Sequence, residues 1–299
     1  MKSINTNRII IDGSNLLHRC YWVSSTVRNV PVALLFVSSI KKLVKEYKTN
    51  RVYVVWDSRT VRGQKNFRQQ QTTYKQTRDK SKNEKVFQHE AVCVEVSKSL
   101  GIKHLNPGIL EADDYIRWLV HDSKENSVIV SSDGDMIQLV SEYTTVLNPI
   151  TNKHITNDNF TELTGLNSTE ELIIFKCLIG DKSDNITGIR GVGPKTAKKL
   201  INEGVDRLSE DNYSIYSKNR ELIDLSVAVQ KHPEEPARLQ ENYTSVEGVD
   251  TFDIDLFVKL CNKYNMKSII STVSEYKTLF SKDSRDLQDV AARLIKALN

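Results

Sequence analysis

Three short apolar runs in this chain each end on an acid, and that pattern restricts the fold more than any other feature. RIIID stops at Asp12, RVYVVWD stops at Asp57, and SVIVSSDGD runs from Ser127 into Asp133 and Asp135. Runs this short and this apolar suit strands buried on both faces. Helical spacing lies between them. Residues 31–47 put Phe36, Ile40, Leu43, Val44 and Tyr47 on one face, residues 84–100 read as a second helix closed by Gly101, and residues 111–121 read as a third. Strands alternating with helices predict an α/β unit with a parallel sheet covered on both faces. Open parallel sheets place their sites at the carboxyl ends of the strands. Acids at three such ends therefore fall on one edge.

Two further acidic groups can reach that edge. ILEADDYI holds Glu111, Asp113 and Asp114 at a helix start, and GDKSDN holds Asp181 and Asp184. Glu111 and Asp114 stand at i and i+3 and share a helix face, and Asp181 and Asp184 have the same spacing. Taken singly, an acid after a strand is a cap or turn residue more often than a ligand. The set is the specific signal. Two like charges about 4 Å apart repel by roughly 4 kcal/mol at an effective dielectric near 20. Bound divalent cations relieve that repulsion, and all-oxygen donors select magnesium or manganese over zinc. Two such ions about 4 Å apart activate a water and stabilise the leaving oxygen of a phosphodiester.

The basic residues are placed to match. The net charge is only +4, but residues 62–89 carry eight Lys or Arg against two acids, and residues 188–200 carry four against none. A basic surface around an acidic centre suits a polyanion handled through metal ions. The stretch GDKSDNITGIRGVGPKTAKKL poses the question of which phosphate it meets. Gly188 and Gly193 have the spacing of a nucleotide-binding P-loop, but Pro194 stands where that motif needs Lys, and the preceding segment is helical. The alternative is a helix–hairpin–helix. Gly191, Val192 and Gly193 make the turn, Pro194 opens a helix, and Ala197 allows close packing. N–H groups at that helix start face a backbone phosphate, with lysines adding charge but no sequence preference. The expected DNA-binding set is Arg68, Gly191, Gly193, Lys195, Thr196, Lys198 and Lys199.

The remaining features set limits. Cys20, Cys93, Cys177 and Cys261 lie far apart with no CxxC pair, which argues against a zinc module and fits reduced thiols in a cytoplasm. No apolar run reaches membrane-spanning length, and the first residues lack the apolar core of a signal peptide. The chain is expected to divide into a catalytic domain over residues 1–165, with a basic arch at about residues 60–90, and a helical region over residues 166–299. Residues 232–248 read as a long connection, and residues 285–299 as an amphipathic helix packed at the end of the chain.

IIIDGSN, VVWD, YKQTR, EADD, SSDGD and GDKSDNITGIRGVGPKTA occur in the order found in the 5′ nucleases. The chain resembles that family, which includes flap endonucleases, the 5′ nuclease domain of bacterial DNA polymerase I, and bacteriophage 5′ exonuclease or RNase H enzymes; its size resembles the bacteriophage members. The resemblance covers residues 8–200 and implies a PIN-like parallel-sheet nuclease domain with a helix–three-turn–helix DNA-binding region. It implies that Asp12, Asp57, Glu111 and Asp113 surround a first magnesium ion. It implies that Asp114, Asp133, Asp135, Asp181 and Asp184 surround a second, some through water, with Mn2+ able to substitute. Lys75 matches the arch lysine that meets the scissile phosphate, Arg78 matches a nearby basic position, and the hairpin carbonyls match a K+ site. The family often has an aromatic near position 18 that stacks on a terminal base pair; here His18 and Tyr21 both qualify.

The expected activity is metal-dependent 5′-3′ exonuclease and flap endonuclease cleavage of 5′-flap, nicked or RNA-primed duplexes during replication. A single-strand-binding protein or polymerase is the expected recruiting partner, a monomer the default, and the cytoplasm, of the host if the chain is bacteriophage-encoded, the expected location. A non-catalytic DNA-binding factor that keeps the fold is the alternative, and a ribonuclease with a related acidic domain ranks below it.

Overall fold

The computed structural model describes residues 6–27, 30–57, 68, 80–106, 108–235 and 252–281. Lys75, Arg78, most of the basic stretch, the connection beyond residue 235 and the terminal segment 285–299 lie outside the described residues.

β1 (Arg8–Asp12) is the centre of a six-stranded sheet. β2 (Val52–Val55) and β3 (Lys103–Leu105) lie to one side of it. β4 (Ser127–Val130), β5 (Thr144–Asn148) and β6 (Lys153–Ile155) lie to the other, giving the order β3-β2-β1-β4-β5-β6. The first five strands are parallel, and β6 returns antiparallel to β5 with Leu147 opposite His154. That antiparallel edge departs from the all-parallel expectation. The chain reaches β6 through a short turn after β5, and a parallel neighbour would need a crossover of a dozen residues or more.

The apolar runs are buried on both faces because each alternates between two cores. Ile9, Ile11, Val52, Val54, Val128 and Val130 face one core. Ile10, Tyr53, Val55 and Ile129 face the other. Each fully buried Ile or Val contributes about 1.5–3 kcal/mol relative to exposure, so a one-residue register slip would exchange the two cores at every position. The first core is covered by α1 (Gly13–Thr26), α2 (Val32–Tyr47), α4 (Glu90–Lys98) and the C-terminal helices Ile254–Lys263, Lys267–Ile270 and Val273–Phe280. The second is covered by α5 (Ala112–Val120), with α10 (Leu225–Lys231) packed beside it.

The helix expected over residues 84–100 is two helices, α3 (Lys80–Phe87) and α4, broken at Gln88 and His89. Gly101 does follow α4, with φ of 73°, where a side chain is strained. Beyond α6 (Phe160–Thr164), a third core joins α7 (Thr169–Ile179), α8 (Pro194–Glu203) and α9 (Glu210–Ile223). All four cysteines are free and buried. Among the described residues no helix is long and apolar enough to cross a membrane.

Candidate acidic centre and nucleic-acid interface

The strand order reverses at β1, which sets the carboxyl ends of β1 and β4 side by side at the point where open parallel sheets bind their ligands, the crevice of the sheet. Asp12 stands in it as the N-cap of α1, accepting from Asn15 N at 2.9 Å and from the Ser131 hydroxyl at 2.9 Å. Ser131 Oγ in turn accepts from Asp133 N at 3.1 Å, and Asp133 accepts from Asp135 N at 2.9 Å. The Asn15 side chain clamps the same edge, donating to Ser132 Oγ at 2.8 Å and accepting from Ser132 N at 3.1 Å. Burial first, and then the charges of Asp57 and Asp133, push the Asp12 carboxyl up to about 7.

Asp57, just beyond β2, accepts from Ala112 N at 3.1 Å at the start of α5. Its approach is fixed from behind by Trp56, whose indole N–H donates to His104 Nδ1 at 2.8 Å. The proton of that ring therefore sits on Nε2, which donates to Ser97 Oγ at 2.8 Å. Burial holds the imidazole neutral, pushed down to about 3.

Glu111 and Asp114 open α5 as a capping box, with Asp114 accepting from Glu111 N at 3.1 Å. Arg68 closes on both. Its Nη1 and Nη2 reach the two oxygens of Asp114 at 2.9 and 2.7 Å, and Nη1 reaches Glu111 at 3.3 Å. Only 1 % of Arg68 is exposed. This corrects its expected place on the DNA-binding surface: the guanidinium is spent inside the protein, where two otherwise uncompensated carboxylates hold it. It also corrects Asp114, whose oxygens are both committed to Arg68. Asp113 follows on the first turn of α5, half-buried.

The second pair of elements meets through a lysine. Lys176, on α7, donates to Asp135 at 2.5 Å and to Asp181 at 3.1 Å. Burial works against its charge, but the two carboxylates outweigh that and hold its pKa above the usual lysine range. Asp181 also accepts from Ser183 N at 2.8 Å. Asp184 is buried on the turn between β7 (Gly180–Asp181) and β8 (Ile186–Thr187). Sequence reasoning missed Lys176; the available signal was a lone charge within LIIFKCLI, five residues before Asp181. Among the described residues no three acids stand close enough to enclose an ion as they are. Chain cations, Arg68 and Lys176, occupy part of the set. The donors themselves are all oxygen and concentrated on one edge, which fits a hard divalent cation.

The glycine stretch folds as the helix–hairpin–helix reading expects. Gly188 lies against α7 so closely that a Cβ there would fall 2.2 Å from the Ile179 carbonyl carbon. Ile189 N donates to Leu178 O at 2.8 Å, Gly191 takes a φ of 82°, and Gly193 caps α8 with Pro194 in its first turn. Ala197 is buried against α7, while Gly191, Gly193, Lys195, Thr196, Lys198 and Lys199 are exposed. Lys198 donates to Gly165 O at 2.8 Å, and Lys199 lies 3.7 Å from Glu203. Among the described residues Lys195 makes no ion pair. His18 packs edge-on against Phe87 at 5.5 Å, and Tyr21 lies 5.7 Å from His89; Trp22 is the aromatic left open, 53 % exposed.

Residues 7–165 match the family described as 5′-3′ exonuclease, N-terminal resolvase-like domain, and residues 167–231 match 5′-3′ exonuclease, C-terminal SAM fold. A 5′-3′ exonuclease of Buchnera aphidicola is 31 % identical over 288 residues, covering 91 % of this chain and 97 % of that protein. One from Bacillus subtilis is 31 % identical over 235 residues, covering 73 % and 77 %. Among solved structures, a bacteriophage T5 flap endonuclease complex with DNA and metal ions superposes with a TM-score of 0.67 at 21 % identity, covering 80 % of this chain and 98 % of that one.

Proposed function

Since this chain belongs to the 5′-3′ exonuclease family, we propose that it hydrolyses phosphodiesters at 5′ ends and 5′ flaps of duplex nucleic acid. The observation that carries this reading is the gathering of acids at the carboxyl edge of the sheet. Burial, and then the charges of Asp57 and Asp133, hold the Asp12 carboxyl up to about 7 there, and Lys176 ties Asp135 on that edge to Asp181 at the start of the β7–β8 turn.

Asp12, Asp57, Glu111 and Asp113 would hold one magnesium ion, and Asp133, Asp135, Asp181 and Asp184 a second. Asp114 would support them from behind through Arg68. When bound, such ions supply an activated water and stabilise the leaving oxygen. The chain's own residues do the rest. Ser131 and Asn15 orient Asp12 and the loop after β4. Ala112 N, with Trp56 behind it, orients Asp57. The exposed N–H groups of Lys195 and Thr196 grip a duplex phosphate away from the crevice, which sets how far along the strand the cut falls. Lys75 and Arg78 would steady the scissile phosphate, and a potassium ion at the hairpin carbonyls would strengthen the grip. We divide the chain into a catalytic domain over residues 1–165 and a helical region from residue 166. We place it as a monomer in the cytoplasm, recruited to primed or nicked DNA by a polymerase or single-strand-binding protein.

The test is a duplex with a labelled 5′ flap, incubated in magnesium or in EDTA. A short product cut near the junction only in magnesium is expected. Binding without cleavage in either magnesium or manganese would overturn the reading in favour of a non-catalytic DNA-binding factor.

A further inference from the structure

Two side chains from different parts of the acidic centre converge on one short piece of backbone, the joint between α9 and α10 at residues 222–225. Arg68, while its Nη atoms hold Asp114 and Glu111, donates from Nε to Leu222 O at 2.8 Å. Gln138 belongs to the 3-10 turn Gly134–Leu139, which also carries Asp135. Its amide donates to Ile223 O at 3.2 Å and accepts from Leu225 N at 3.1 Å. The two acid-bearing elements, α5 and the 3-10 turn, are thus fastened to successive groups of the same joint. From the joint the connection runs on to the hairpin: Asn219 on α9 donates to Cys177 O at 2.8 Å and to Thr187 O at 2.9 Å.

A helix joint with spare backbone groups can satisfy them with water at little cost. Here both ends of Gln138 and the Nε donor of Arg68 meet them instead. The guanidinium fork is what allows it, because one planar group reaches two carboxylates and a carbonyl at once, which an ammonium does not. We propose that Arg68 and Gln138 are positioning residues that set the metal-binding carboxylates of α5 and the 3-10 turn from the α9–α10 joint. The spacing between the acidic centre and the phosphate-gripping turn is thereby fixed by one element. Arg68 acts from inside the protein and touches no nucleic acid.

The inference rests on the function proposed above, and the experiment separates the two. Manganese affinity is measured without nucleic acid in the wild-type chain, in Arg68→Lys and in Gln138→Met, alongside flap-DNA affinity in EDTA and thermal unfolding. Losing a partner behind a metal ligand typically weakens metal binding by about 10–100-fold. The expected result is a fall in manganese affinity of about tenfold in Arg68→Lys and of several-fold in Gln138→Met, with flap affinity within about twofold of wild type. Manganese affinity unchanged while only the melting temperature drops would overturn the proposal and leave plain struts. A weakened, less salt-dependent flap affinity in Arg68→Lys would also overturn it, by making Arg68 a phosphate contact. Absence of manganese binding in the wild-type chain would overturn the proposed function itself, and this inference with it.

Discussion

The crevice and the hairpin turn handle charge in opposite ways. In the crevice, most of the acids are buried or half-buried, lie near one another and are partly answered by cations of the same chain: Arg68 on Asp114 and Glu111, Lys176 on Asp135 and Asp181. At the hairpin turn, Lys195 and Thr196 stand in solvent, and the weak Lys199–Glu203 pair is the kind that contributes little. Buried charges interact strongly and have one geometry. Exposed ones are screened and interchangeable. On the proposed function, chemistry would therefore belong to the first region and sequence-independent grip to the second.

The comparison breaks most sharply at Asp12. Asp12→Asn should lower flap cleavage by more than about 100-fold, the upper range for losing a residue merely behind a ligand, while leaving flap affinity nearly intact. Single-turnover cleavage and binding in EDTA check this; equal losses in both would erase the division of labour. Next in size is Lys176→Met, which leaves Asp135 and Asp181 without the ammonium between them. The metal-free protein should lose about 2 kcal/mol in urea unfolding, and magnesium should restore part of it. A variant as stable as wild type without metal would show that the lysine is idle.

A third effect is set by pH. The Asp12 carboxyl stays protonated in the folded chain up to about 7, against 3.8 unfolded. Between those values the unfolded chain binds fewer protons, so this residue's contribution to stability is present below about 4 and is lost as pH rises toward 7. Metal-free wild type should lose on the order of 2 kcal/mol more than Asp12→Asn between pH 4.5 and 7.5, read from paired urea melts. The smallest effect belongs to the hairpin: Lys195→Ala should weaken flap binding a few-fold, reduce the salt slope by about 1 and leave the single-turnover rate alone. A changed rate there would mean that the exposed lysine reaches the reacting phosphate.

These contrasts also explain what could be read from the sequence. RIIID and VVWD were legible because a strand buried on both faces must be apolar throughout, and GVGPKTA because turn, cap and helix start each impose their own residue. KHL of β3 and KHI of β6 were not legible, being three-residue edge strands with charged or polar members and no period to detect. The break at Gln88 and His89 was hidden because neither residue is a helix breaker. At the site, the acids could be named from their positions after strands, but their partners could not. Arg68 lies 46 residues from Asp114 and Lys176 lies 41 from Asp135. Nothing local to KNFRQQQ distinguishes a cation facing inward from one facing DNA. Only the folded sheet decides which way the charge points.

Trp56 has an optical consequence. It lies stacked on Phe36 at 5.8 Å, almost fully buried, one residue before Asp57, and its indole N–H is spent on a histidine that stays neutral down to about 3. A protonated imidazole would quench it; a neutral one across the working range leaves its emission steady. The chain has three tryptophans, and Trp22 is exposed. With Trp22 and Trp118 replaced by phenylalanine, the remaining fluorescence would come from beside the acidic edge alone. Its colour and lifetime would then gauge the filling of that crevice in real time, with no dye attached.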